Sequence, residues 1–145
     1  MVHTDESIVI HACCVALEAR GLLILGAAGA GKSGLALDLI SRGAQLVADD
    51  RVDVRRVGEH RLSARPPKTI AGKIEVRGLG ILDLPHQSEA EIVAAYDIDR
   101  QNEARLPEPQ SIELLGVSLP LYSPFAGVHP TAALHLALLH GFPHD

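Results

Sequence analysis

The chain has few cysteines, no excess of positive charge and no long apolar run. No stretch of its 145 residues reaches the ~18 consecutive apolar residues of a membrane-spanning helix, so no membrane span is expected. The only two cysteines, Cys13 and Cys14, are adjacent. Neighbours on a strand point to opposite faces, which excludes an ordinary disulfide between them. With no second pair to complete a metal site, they read as small core residues in a reducing cytoplasm. Thirteen Lys and Arg against eighteen Asp and Glu give a net charge of −5, which argues against a general nucleic-acid binder. The start, Met1 to Glu6, is acidic and lacks the layout of a signal peptide. There is no internal repeat, low-complexity tract or linker, so residues 1–145 are expected to form one domain. What is present, 47% hydrophobic and 21% charged residues, is a globular composition.

The most informative stretch is Gly26-Ala27-Ala28-Gly29-Ala30-Gly31-Lys32-Ser33. It fits G-x-x-x-x-G-K-[ST], the phosphate-binding P-loop, at every fixed position. The glycines allow turns and close backbone approach, and successive N–H groups then line an anion-binding concavity. Lys32 brings a point charge to the outer phosphates. The Ser33 hydroxyl suits Mg²⁺, a hard ion that prefers oxygen. The apolar run Gly21 to Leu25 reads as a buried strand before the loop. Leu35 to Ile40 reads as a helix after it, ending near Arg42-Gly43, with its N-terminus toward the phosphates. The plain alternative, a Gly/Ala-rich turn that binds nothing, fits this order of strand, loop and helix less well.

Around this core, Ser7 to Leu17 is predicted to be one strand containing His11. Gln45 to Ala48 is a strand that delivers Asp49 and Asp50 to the sheet edge, on the side of the P-loop and beside it. Paired acids often only form turns; next to a P-loop they suit Mg²⁺ binding and general-base work. A hairpin is expected over residues 52–64 with Gly58-Glu59 at its tip. A short helix or turn follows Pro66-Pro67, and residues 74–84 alternate around a Gly78/Gly80 bend. Glu91 to Ile98 is a strand, 99–110 a loop, 112–121 a hairpin across Gly116, and Thr131 to His140 a helix entered at Pro130. Residues 51–77 carry eight Lys and Arg against three acids. Most of these are expected to be a solvated face; the sharper reading is a patch that meets phosphate or an acidic partner.

Three motifs in order, the P-loop, Leu46 to Val52 and Ile74 to Ile81, make the chain resemble the catalytic domain of HPr kinase/phosphorylase. That family phosphorylates a serine of HPr, the small phosphocarrier of the bacterial phosphotransferase system. The resemblance implies an α/β fold with a P-loop core similar to phosphoenolpyruvate carboxykinase, a mixed sheet with few helices. It implies ATP and Mg²⁺ as cofactors, HPr or an HPr-like carrier as partner, and a homo-oligomer, typically a hexamer. Carried over residue by residue, His11 falls on an active-site histidine and Lys32 on the phosphate-binding lysine. Ser33 and Glu75 match Mg²⁺ ligands, with Asp49 beside them. Asp50 matches the acid that takes the serine proton, and Arg105 a later active-site arginine. The chain looks like a short form without the family's N-terminal domain.

It also departs from the family. The Gly/Ala-rich loop is missing after Leu84. Pro124 to His129 stands where the family has a Pro-x-x-Gly-Arg segment tied to dephosphorylation, without its arginine. The final 40 residues contain no Lys or Arg. The expectation is an ATP- and Mg²⁺-dependent protein serine kinase with a weak or absent reverse phosphorylase reaction. A small-molecule kinase on the same scaffold, or a nucleotide-binding regulator without catalysis, would share the P-loop. Asp50 and Glu75 speak against the regulator, since a pure sensor needs no proton acceptor.

Overall fold

The computed structural model describes residues 6–100, 109–124 and 130–143. The chain opens with three strands, β1 (Ser7–His11), β2 (Cys13–Leu17) and β3 (Arg20–Leu25). Helix α1 (Lys32–Ser41) and strand β4 (Gln45–Ala48) follow, then the hairpin β5 (Arg51–Val57) and β6 (Arg61–Arg65). After a single 3-10 turn at Lys68–Ile70 come the hairpin β7 (Lys73–Val76) and β8 (Gly80–Asp83) and the long strand β9 (Ala90–Asp97). The chain closes with the hairpin β10 (Gln110–Leu114) and β11 (Val117–Tyr122) and helix α2 (Pro130–His140).

Among the described residues, nine strands form one mixed sheet in the order β1-β5-β6-β9-β3-β2-β4, with β11 and β10 joined at β9, and β7 and β8 pair only with each other. The expected mixed α/β fold with few helices is therefore the fold observed. β9 shares one edge between two partners, β6 at Ala90 and Glu91 and β11 at Ala95 and Tyr96. β3 runs parallel to β9 and antiparallel to β2, which in turn is antiparallel to β4. The C-terminal ends of β3, β4 and β9 thus open on one side of the sheet, and that side carries the P-loop.

Two expectations need correction. Ser7 to Leu17 is not one strand. The chain breaks at Ala12, whose N–H bonds to the Asp50 carbonyl at 3.2 Å. There it exchanges one partner, β5, for two others, β3 and β4. β4 also does not border the P-loop strand, because β2 lies between them.

The alternation of the strands sorts the core onto two faces. Cys13, Val15, Leu22, Ile24 and Ala94 pack with Ala36 and Leu39 of α1 and Leu134 and Leu138 of α2. Cys14, Ala16, Leu23 and Ala95 join Val52, Val54, Leu62, Leu119 and Leu121 on the other face. Leu39 and Leu138 are fully buried, and truncating either to Ala is worth about 2–5 kcal/mol. Gly43, at φ 114, stops α1 by taking the left-handed turn, with its N–H on the Ile40 carbonyl at 3.0 Å.

Candidate active site

The P-loop leaves β3 at Gly26 and enters α1 at Lys32. Gly31, at φ 106, sits at the N-cap, and among the described residues no side chain caps the helix there. The first-turn N–H groups of α1 are thus presented to an anion, as at other phosphate-binding helix starts. Ala27, Ala28 and Gly29 are exposed, as the floor of an open loop requires. Lys32 is not exposed at the loop's mouth. It is 6% accessible and donates to the Gly26 carbonyl at 2.7 Å and the Ala27 carbonyl at 3.0 Å. Its ammonium is therefore stitched into the loop that it serves.

Asp49 and Asp50 are neighbours in sequence with opposite surroundings. Asp49 is buried. Its Oδ1 accepts from Ser33 Oγ at 2.8 Å and from Cys13 Sγ at 3.0 Å, and its Oδ2 accepts from the Glu75 N–H at 3.2 Å. One carboxylate thereby ties together the start of α1, the start of β2 and the β7–β8 hairpin. Burial, with Asp49 beside it, pushes the Cys13 thiol up to about 12, so it stays a neutral donor. Cys14, one residue on, is raised by burial as well. Both cysteines are buried and unpaired by disulfide. Cys13 does more than fill the core, since it faces Asp49, a contact that spacing alone did not reveal.

Asp50 points outward, with a side chain about 60% accessible. Its backbone is at φ 71, and the Arg51 N–H reaches back to the Asp49 carbonyl at 2.8 Å. That closes a three-residue γ-turn with Asp50 at its apex, a rare and strained form. His11, last residue of β1 and level with Arg51 of β5, donates Nε2–H to Asp50 Oδ1 at 2.8 Å. The structure thus joins His11 to Asp50, and Ser33 to Asp49 and the Glu75 backbone. Arg105 lies outside the described residues.

In the basic segment Arg56, Arg65 and Lys73 are occupied. Arg65 reaches Glu89 at 3.4 Å, Lys73 reaches Asp83 at 2.7 Å, and Arg56 donates to the carbonyls of Gly58, Glu59 and Leu115. Arg61 pairs with Val57 at the end of the hairpin away from Arg51. Arg51, beside Asp50, and Lys73 and Arg77, each two residues from Glu75, are the exposed cations nearest these acids in sequence, and of these Lys73 is held by Asp83.

Asp99 was not anticipated as part of the site. Its Oδ2 accepts the Ala27 N–H at 2.6 Å. An acid two residues past the end of a strand is the signal for it, and it becomes readable only once β9 is known to run parallel to β3.

The description HPr Serine kinase C-terminal domain is matched by residues 3–97. The HPr kinase/phosphorylase of Caldanaerobacter subterraneus subsp. tengcongensis is 48% identical over 77 residues, 53% of this chain and 25% of that protein. The HPr kinase/phosphorylase of Chlorobium chlorochromatii is 40% identical over 124 residues, 77% of this chain and 37% of that protein. The chain therefore spans only about a quarter to just over a third of these relatives' lengths. A solved structure of the Hpr(Ser) kinase/phosphatase from Coxiella burnetii aligns with a TM-score of 0.75 and 27% identity, covering 91% of this chain and 93% of that one. On the match over residues 3–97, the chain belongs to the HPr serine kinase C-terminal domain family.

Proposed function

We propose that the chain transfers the γ-phosphoryl group of ATP to a serine hydroxyl of an HPr-like phosphocarrier protein. The observation that carries this reading is the divergence of two adjacent carboxylates. Asp49 is buried against Ser33, whereas Asp50 is exposed and held by His11. The first suits a metal-binding role and the second a proton acceptor, the two jobs that phosphoryl transfer asks of acids.

The P-loop N–H groups and Lys32 hold the phosphates. The donor set fits Mg²⁺. Ser33 Oγ and Asp49 Oδ1 lie 2.8 Å apart, and Glu75 joins Asp49 through its N–H. Among the described residues no group of three His, Cys, Asp or Glu forms a dedicated cage. That suits an ion held by one or two carboxylates, substrate phosphates and water. When bound there, Mg²⁺ neutralises charge on the phosphate oxygens. Asp50 accepts the serine proton through Oδ2 while His11 keeps Oδ1 in place. The new serine O–P bond forms as the bond between the γ-phosphorus and the bridging oxygen breaks, leaving ADP. The exposure of Asp50 favours a hydroxyl presented by a protein over an enclosed metabolite. A cavity of about 300 Å³ lined by Arg61, Ser63 and Glu91 involves none of the residues of this site.

The test is to incubate the chain with γ-labelled ATP, Mg²⁺ and an HPr-like carrier, and to map the label. Label on a carrier serine is expected. ATP binding without transfer would indicate a regulator, and turnover of a metabolite alone would indicate a small-molecule kinase.

A further inference from the structure

The chain leaving β9 passes beside the first turn of the P-loop. Asp97 is level with Leu25 across the parallel pair, and the Ile98 N–H bonds to the Leu25 carbonyl at 2.9 Å. Asp97 Oδ1 then accepts the Asp99 N–H at 3.0 Å, a local turn that swings Asp99 toward the loop. There Asp99 Oδ2 takes the Ala27 N–H at 2.6 Å, while Lys32 Nζ holds the Gly26 carbonyl at 2.7 Å. These two groups are the opposite ends of one peptide unit. The bond is trans, so its N–H and C=O point in opposite directions. One plane is thus pinned by a carboxylate on one side and an ammonium on the other.

Gly26 is the residue on which that plane would turn. A Cβ there would sit 3.5 Å from Lys32 Cγ and 3.6 Å from Asp99 Oδ2. Without a side chain the peptide has more rotational freedom than at any other residue type. Rotation would carry the Gly26 carbonyl away from Lys32 and leave the ammonium only the longer bond, to the Ala27 carbonyl at 3.0 Å, so that it is less firmly seated. A hydrogen bond to a charged acceptor is roughly twice as strong as a neutral one, which makes a carboxylate an effective stop.

We propose that Asp99 is a positioning residue of the P-loop, one that fixes the Gly26–Ala27 peptide plane and, through it, the placement of Lys32 for phosphate. The proposal rests on the nucleotide-binding reading above, and it predicts the reverse of what a competing anion would do. If Asp99 merely occupied the place of phosphate, removing it would tighten nucleotide binding. If it positions Lys32, removing it weakens binding, and Asn, which keeps an acceptor oxygen, restores most of the loss.

The experiment compares the full chain with Asp99→Ala and Asp99→Asn. Without nucleotide, amide hydrogen exchange at Ala27 is followed by NMR. Exchange about tenfold faster is expected in Asp99→Ala, and near wild-type exchange in Asp99→Asn. With a fluorescent ADP analogue and Mg²⁺, Kd is expected to rise about tenfold in Asp99→Ala and to stay within about threefold in Asp99→Asn. A thermal midpoint close to wild type in both variants separates positioning from general damage. Unchanged Ala27 exchange in Asp99→Ala, equal or tighter analogue binding, or no rescue by Asn overturns the proposal. Should Asp99→Ala not fold, the wild type decides, because Ala27 exchanging as fast as exposed Ala28 overturns it equally. A wild type that binds no analogue sinks the kinase reading, while Ala27 exchange still judges Asp99.

Discussion

At Asp50 the backbone holds a left-handed φ of 71 without being glycine, a strain of about 1–3 kcal/mol that persists only where the surroundings impose it. Two contacts impose it here, the Arg51 N–H on the Asp49 carbonyl and the Ala12 N–H on the Asp50 carbonyl. The strained turn is what lets consecutive acids face apart, one into the core and one outward. Asp50→Asn keeps the shape and removes the proton acceptor, so kcat is expected to fall about 10²–10⁴-fold with nucleotide affinity preserved. Asp50→Gly should lose the same activity and raise the denaturation midpoint, since glycine accepts the turn without strain. Steady-state kinetics and denaturant titration check both, and wild-type turnover in Asp50→Asn would remove the assigned base. The thiols offer a second test. Cys13 is raised from 9.0 to about 12 in the fold, so the folded state keeps its proton where the unfolded chain releases it. The stability this confers is complete below pH 9.0 and declines as pH climbs toward about 12. Iodoacetamide at pH 8 is expected to spare Cys13 and Cys14 in the native protein and to label both in denaturant; rapid native labelling would contradict their burial.

The β7–β8 hairpin brings Glu75 to Asp49, although β7 and β8 lie outside the main sheet. Its root is fastened at Gly72, whose carbonyl accepts the Leu84 N–H at 2.8 Å and whose φ is 76. A Cβ at Gly72 would come within 2.6 Å of His86 Nδ1. Gly72→Ala is therefore expected to cost about 1–2 kcal/mol from the left-handed backbone alone. It should also raise the Mg²⁺ concentration needed for half-maximal transfer, because the Glu75 N–H would shift from Asp49. An unchanged denaturation midpoint would show that the hairpin root is looser than this geometry implies. Most elements were legible from periodicity and punctuation, because Gly58, Gly78 and Gly116 stand at turns, Gly80 opens β8 and Pro130 opens α2. The split at Ala12 was not. The run from Ile8 to Leu17 is apolar but for His11, and the break comes from a change of partner strands, which local sequence does not encode. Asp99 escaped for the same reason, since its meaning depends on β9 lying parallel to β3.

Across the whole molecule, charge is distributed unevenly relative to the site. Acids gather at this end of the sheet: Asp49 and Asp50 follow β4 and Asp99 follows β9, with Asp49 on Ser33 and on the Glu75 N–H, Asp50 on His11, and Asp99 on the Ala27 N–H of the P-loop. Of the cations, Lys32 is committed to two carbonyls of its own loop, and Arg65 and Lys73 are paired with Glu89 and Asp83. The proposed forward transfer would tolerate this balance, because ATP would arrive with Mg²⁺ and the attacking serine would be neutral. The reverse reaction, attack of inorganic phosphate on phosphoserine, must hold two anions together, which requires additional cationic or N–H donors. The chain has no Lys or Arg among its final 40 residues to supply them. Phosphorolysis of a serine-phosphorylated carrier by this chain is therefore expected to run at least about tenfold slower than phosphorylation, one missing charge-assisted contact being worth about that much. The measurement is pyrophosphate release from phosphorylated carrier with Mg²⁺ and millimolar phosphate, set beside the forward rate on the same preparation. Pyrophosphate formed as fast as phosphocarrier would show that the second anion finds its donors, with Arg51 and Arg77, exposed cations close in sequence to Asp50 and Glu75, as the candidates. Replacing each with Ala would then identify which of the two holds it.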